Sequence, residues 1–318
     1  LSENSKLPLL PSLAGPTASG KSGVAVKVAV ELGLEIVSAD SRQVYRRLDA
    51  GTAKPTLEER AAAPHHLVDV VDPEETYTAA RFGREAAAAL HEIIGRGCVG
   101  FLVGGSGLYL RAAEGGLFEG PSADPGLRAR LNQEADADGE ERLHRRLADA
   151  DPETAARLAP ADRVRVIRAI EVLELTGVTL SEHHRRHREA PARWRPVRYG
   201  LEWDSDALSA RIARRVDRML DAGWEEEVRC LLEEGLSEQA PAFRALGYAE
   251  VALLAAGKVS RKETRDRIIM QTRRFAKRQR TWFRGVEGVC RIRIRSDADL
   301  ATAAATVAAG IRHAMESP

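Results

Sequence analysis

Hydrophobic positions in this 318-residue chain form short apolar runs and longer runs of helical spacing, and the two kinds alternate through the first third. Leu7 to Ala14 predicts a first strand ending near Ala14. It should be shortened, because Pro8 and Pro11 lack the N–H that a central strand donates. Ser22 to Leu32 predicts a helix, with Val24, Val28 and Leu32 spaced by four. Glu35–Ala39 predicts a second strand, 78–94 a helix and Gly97–Val103 a further strand. Another helix is predicted to begin within 107–111. This alternation predicts an α/β fold, a parallel sheet covered by helices.

From about Pro121 the strand signals fade. Segments 127–135, 140–148, 152–158 and 162–176 predict helices, with breaks at Asp151-Pro152 and Gly177. Val197–Leu201 predicts a short strand. Ser205–Leu220 predicts a helix, in which Leu208, Ile212, Val216 and Met219 repeat at helical spacing. Ser260-Arg-Lys-Glu263 has the spacing of a capping box at the head of a long helix. One face of that helix carries Ile268, Thr272, Phe275, Gln279 and Trp282; another carries Arg267, Arg274, Lys277 and Arg278. The Ala-rich 297–315 predicts a terminal helix. These elements predict a discontinuous α/β core, 7–120 and 195–318, interrupted by a helical insertion at 121–194. Strand order is not readable from the pattern.

A net charge of +1 conceals local asymmetry. Residues 258–284 hold eleven Lys/Arg against two Asp/Glu, and 183–198 hold six Arg and three His against one Glu. Such patches serve either as solvated helix faces or as steering surfaces for an anionic partner, including nucleic acid. Cys98, Cys230 and Cys290 are too scattered for a metal signature or a disulfide framework, which suits a reducing compartment. No apolar run is long enough to span a membrane. Residues 1–6 lack the apolar core of a secretion leader.

The sharpest chemical signal is Gly15-Pro16-Thr17-Ala18-Ser19-Gly20-Lys21-Ser22. It matches the loop whose backbone amides converge on phosphate oxygens, with a lysine to neutralise charge and a hydroxyl for magnesium. Kinase, nucleotidase and phosphate-dependent transferase all remain open at this point. Asp40 follows the second strand, where open α/β sheets place ligands, and is either a base or an exposed turn residue. Arg42 and Gln43 beside it offer fork donors and an amide for a base edge. The strand ending at Val103 runs into Gly104-Gly105-Ser106-Gly107 and lacks the acidic residue that many P-loop nucleotidases carry there. Arg211 and Arg215 share a helix face and suit either a diphosphate or solvent. His65 and His66 form no metal cluster and read as packing or substrate-positioning residues.

Taken together, these blocks resemble the tRNA dimethylallyltransferase family of bacterial type. The resemblance covers most of 13–284. Its blocks are the 15–22 loop, Ser38–Tyr45, Gly51–Pro55, Pro64–Leu67, Val103–Tyr109, Ile167–Val172, Ala245–Glu250 and Thr272–Phe283. The loop alone is common, whereas all the blocks in this order are specific. The resemblance implies transfer of a five-carbon prenyl group from dimethylallyl diphosphate to N6 of adenosine 37, 3′ of the tRNA anticodon. It also implies a P-loop-like core with an inserted helical domain and C-terminal RNA-binding helices. Asp40, Lys21, Arg211 and Ser106 take the catalytic positions, Ser106 where the family often has Thr. Gly15 to Ser22, Arg211 and Arg215 would hold the diphosphate, with Mg2+ on Ser22. The tRNA anticodon stem-loop would meet Asp40, Ser41, Arg42, Gln43, Ser106, Arg128, Val164, Arg165, Val166, Ile167, Arg168, Arg244, Gly247, Tyr248, Lys277, Arg278 and Arg280. Val164 stands where the family commonly has Gln. The resemblance is to the bacterial type, for which the zinc-finger extension of eukaryotic relatives is not expected, and a cytoplasmic monomer is expected.

Overall fold

The computed structural model describes residues 7–118 and 120–317; the 1–6 segment read above for a leader lies outside the described residues. The chain divides into two compact units. One combines the stretch up to Glu114 with Ala192 onward, and the other is Gly115–Pro191. Among the described residues no helix is long and apolar enough to cross a membrane.

The first unit is built on six parallel strands: β1 (Leu9–Ala14), β2 (Glu35–Ala39), β3 (His65–His66), β4 (Gly100–Gly104), β5 (Arg195–Trp203) and β6 (Val289–Ile294). Their order is β3-β2-β4-β1-β5-β6. Runs such as Leu10, Leu13, Val37 and Leu102 are wholly buried, as expected of strands covered on both faces. Pro11 does sit inside a central strand, which the prolines argued against. β1 pairs with β5 from Leu9 to Ala14 but with β4 only from Ser12, so two-sided pairing begins one residue after the proline.

Gly104 of β4 stands level with both Ala14 of β1 and Ala39 of β2. Three neighbouring strands therefore end in one row, and the loops that leave them at Gly15, Asp40 and Gly105 start side by side. Parallel pairing alone thus assembles three of the sequence blocks at one edge of the sheet.

The Lys21–Leu32 helix follows β1 and buries Val24, Ala25, Val28 and Ala29. Two long helices, Ser205–Asp221 and Arg261–Arg284, pack against one another. Leu208, Ile212 and Val216 are buried as the period predicts, and Leu220 completes the stripe in place of Met219. Ser260 caps its helix by accepting from the Glu263 N–H at 3.2 Å. Glu263 itself pairs with Arg267, so that capping box is half made. The reciprocal box is formed elsewhere, by Thr56 and Glu59.

The second unit is helical: Pro125–Asp138, Glu140–Ala150, Pro152–Ala155, Arg163–Thr176 and Leu180–Glu189. Its core joins Leu131, Leu143, Leu147, Val166 and Ile170. Asp124, Asp151, Asp162 and Thr179 cap four of these five helices through their side chains.

Candidate active site

The loop between β1 and its helix turns at Ala18 and Gly20, both with positive φ (62° and 79°), and Lys21 opens the helix. It is braced from behind. The Trp203 indole N–H donates to the Ser19 carbonyl at 2.9 Å. Arg211 Nε donates to the Ala18 carbonyl at 2.8 Å, and its guanidinium lies 4.6 Å above the Trp203 ring. In front, Gln279 ties two of the three loops together. Its Oε1 accepts from the Thr17 N–H at 2.8 Å, and its Nε2 donates to the Gly105 carbonyl at 2.7 Å. A Cβ on residue 105 would stand 2.7 Å from that amide nitrogen, so the contact requires glycine.

Asp40 begins the loop after β2. Its Oδ1 accepts from the N–H groups of Arg42 (2.9 Å) and Gln43 (3.4 Å), which fixes the carboxylate at the strand end. Ser106 follows β4; its hydroxyl accepts from the Ser41 N–H at 3.2 Å and donates to the Ser41 hydroxyl at 3.3 Å. The Gln43 amide is fixed at both ends. Ser38 donates to Oε1 at 3.2 Å, and Nε2 donates to the carbonyls of Ala53 (3.0 Å) and Thr52 (3.4 Å).

These groups open on one cavity of about 310 Å³. Thr17, Lys21, Ser22 and Arg215 line its cationic part. Asp40 to Gln43 and Ser106 line the strand ends, and Ile36, Val103, Val216, Met219, Ile268 and Phe275 supply apolar wall. Burial pushes the Lys21 ammonium down to about 8; Asp40 opposes that shift and Arg215 adds to it. Burial also lowers the Arg215 guanidinium, again against the pull of Asp40. Two cations are thus held partly desolvated around one carboxylate, so a polyanion entering here meets strong, poorly screened charge.

A family model described as "IPP transferase" matches residues 43–286, and one described as "Isopentenyl transferase" matches 9–65. The tRNA dimethylallyltransferase of Myxococcus xanthus is 48% identical over 281 residues, 88% of this chain and 91% of that protein. The chain belongs to the tRNA dimethylallyltransferase family. The corresponding protein of Pelotomaculum thermopropionicum is 43% identical and spans 96% of this chain and 97% of its own. Among solved structures, the tRNA isopentenylpyrophosphate transferase of Bacillus halodurans matches with 35% identity and a TM-score of 0.69. That match covers 97% of this chain and 98% of the other.

Not every residue expected at a transferase site faces the cavity. Arg211 stands behind the loop and ion-pairs with Asp297, while Arg215 one turn on reaches the wall. Gly15, Pro16, Ala18, Ser19 and Gly20 shape the loop without lining the cavity. Arg244 and Arg278 line it; Lys277 is exposed, and Arg280 donates to the Ser205 hydroxyl at 2.7 Å. Tyr248, expected to meet RNA, is fully buried with its hydroxyl on Glu227 at 2.6 Å, and Gly247 caps the same helix.

In the helical unit, Val166 and Ile167, expected at the RNA, turn their side chains into the core: the helical period that exposes Val164 and Arg165 buries them. Arg128 and Arg168 grip the fully buried Glu171, Arg128 in a two-pronged pair at 2.8 and 2.9 Å. Sequence reasoning missed Gln279 and Trp203 as parts of the site, and left His65, which lines the cavity, between packing and substrate positioning. Gln279 left a signal, a polar residue on the apolar face of a long helix.

Among the described residues no group of three His, Cys, Asp or Glu could hold a metal ion. The cavity nevertheless offers hard oxygen donors in the Ser22 hydroxyl and the Asp40 carboxylate. That sparse set fits magnesium, which is commonly held by one or two protein oxygens, substrate phosphates and water.

Proposed function

We propose that this chain transfers the dimethylallyl group of dimethylallyl diphosphate to N6 of adenosine 37 in tRNA, releasing diphosphate. The observation that carries this reading is one cavity with Lys21 and Arg215 on its wall, Asp40 and Ser106 at the adjoining strand ends, and apolar wall between. A leaving diphosphate, an acceptor amine and a five-carbon chain each find matching chemistry there.

N6 of adenine attacks C1 of the allylic chain, the C1–O bond breaks, and the electron pair leaves with diphosphate. The amine proton passes to the Asp40 carboxylate, whose Oδ1 is already held by two backbone N–H groups. The amine is a weak nucleophile, so alignment and leaving-group stabilisation dominate the rate. Lys21 and Arg215 meet the departing charge. Arg211 holds the loop through the Ala18 carbonyl and would add its own charge on release from Asp297. Magnesium, when bound on Ser22, supplies further neutralisation of the diphosphate. The acceptor base must leave its stack to reach an enclosed carboxylate, which is the logic of base flipping. Arg42, Arg244 and Arg278 on the cavity wall suit the phosphates or exposed bases of a single-stranded loop. One copy carries every group named, which supports a monomer, and a reducing cytoplasm suits its three free thiols.

The test is nucleoside analysis of unmodified tRNA after incubation with dimethylallyl diphosphate and magnesium. The reading predicts one five-carbon gain on adenosine, abolished when adenosine 37 is replaced by guanosine. A tRNA left unmodified by folded enzyme would sink it.

A further inference from the structure

Gly51, Thr52 and Ala53 line the cavity, yet the 49–53 segment belongs to no strand or helix. Its anchor is Glu227, on the Trp224–Glu233 helix. One carboxylate oxygen of Glu227 accepts from the backbone N–H groups of Asp49 and Ala50, both at 2.7 Å; the other accepts from the Tyr248 hydroxyl at 2.6 Å. Tyr248 is wholly buried, so the anchor is itself fixed. A carboxylate that accepts three donors holds them more strongly than neutral acceptors would. Downstream, Ala53 is held at φ 47°, a conformation unusual for a residue with a side chain, and its carbonyl accepts from Gln43. Thr52 offers its carbonyl to both Gln43 and Arg215 at 3.4 Å.

We propose that Glu227 is a positioning residue for the acceptor base: by clamping 49–53 over the cavity it fixes the Gln43 amide in one orientation. Without the clamp, the Ala53 and Thr52 carbonyls no longer hold Nε2, and the amide beside Asp40 keeps only the Ser38 bond at Oε1. Glu227 is not itself part of the cavity wall and reaches it through this segment. The inference rests on the transferase reading above.

The test is a double-mutant cycle on the full chain with tRNA and dimethylallyl diphosphate. Glu227→Ala is expected to lower kcat/KM for tRNA about tenfold and to change KM for dimethylallyl diphosphate less than about twofold. Glu227→Gln, which keeps a carbonyl for the two N–H groups, should recover most of the loss. In a Gln43→Ala background, Glu227→Ala should cost less than about twofold. Equal losses in both backgrounds, or equal effects on both substrates, would overturn the inference. If the alanine variant does not fold, Glu227→Asp runs the same cycle, because it keeps the charge but withdraws the carboxylate by one methylene. Wild-type enzyme without transfer activity would instead defeat the underlying reading.

Discussion

Lys21 is held partly desolvated at the head of its helix between the charges of Asp40 and Arg215. Its free-enzyme pKa of about 8 lies well below the ordinary 10.5, chiefly because burial penalises the charged form. At pH 8 about half of the free enzyme therefore carries a neutral Lys21, and at pH 7 about a tenth. A diphosphate placed against the ammonium favours the charged form and raises the pKa, so binding must take up a proton. The expected uptake by this group is about half a proton at pH 8 and about a tenth at pH 7. Calorimetry of inorganic diphosphate binding, in buffers of different ionisation enthalpy, measures that uptake. The diphosphate ionises too, so the readout is the difference between wild type and Lys21→Arg, whose side chain stays charged throughout. A wild-type excess of about half a proton at pH 8, shrinking towards pH 7, is the predicted result. Identical proton counts for the two proteins at pH 8 would refute the reasoning, because Lys21 would then be either charged already or out of contact with the ligand.

Replacing Asp40 by Asn should lower single-turnover transfer by about 10²–10⁴-fold, with tRNA affinity measured by filter binding little changed. Gly105→Ala places a Cβ 2.7 Å from Gln279 Nε2 and 3.1 Å from the Gly15 carbonyl. It should break the Gln279 bridge and cost at least about tenfold in kcat/KM for dimethylallyl diphosphate. Glu171→Gln should destabilise the helical unit in a thermal melt by roughly 2 kcal/mol, less than a fully buried pair would lose, because its arginines are partly exposed. Burial raises the Glu171 carboxyl, but its bonds from Arg128, Arg168 and the Asp124 N–H outweigh that and hold it below 4.5. Its stabilisation is therefore present above about pH 4.5 and lost as pH falls through the folded value. Replacing Lys277 and Arg278, the second of which lines the cavity, should flatten the salt dependence of tRNA binding by about one contact each.

Much of the core was legible because its elements obey simple periods. The loop at 15–22, the strand at 35–39 and the helices at 205–221 and 261–284 each follow local rules. What escaped is what local rules do not encode. In Val289–Ile294 only Ile292 and Ile294 alternate with Arg291 and Arg293, too short a pattern to stand alone, and the segment becomes a strand by pairing with β5. Leu180–Glu189 is almost wholly polar, and reads as a helix once Thr179 caps it and Arg186, His187 and Arg188 meet its C-terminal dipole. Pro11 was judged by a rule for central strands, yet its missing N–H falls where pairing is still one-sided. At the site, the loops carried recognisable blocks, but the side chains that join them come from far along the chain. Gln279 lies 262 residues from Thr17, and Glu227 lies 178 from Asp49. Only the fold brings such pairs together. The sequence blocks also could not separate Arg215, on the cavity wall, from Arg211, one turn earlier and drawn back onto Asp297.

The central claim is that the loop at 15–22 holds a leaving group and not a fuel. The most direct measurement counts diphosphate released per adenosine alkylated, in reactions free of nucleoside triphosphate, for wild type and for Lys21→Met. The account predicts one diphosphate per prenylated base, no dependence on added ATP, and a severe loss of both products together in the variant. Transfer that requires a nucleoside triphosphate, or that continues at the wild-type rate without Lys21, would contradict it.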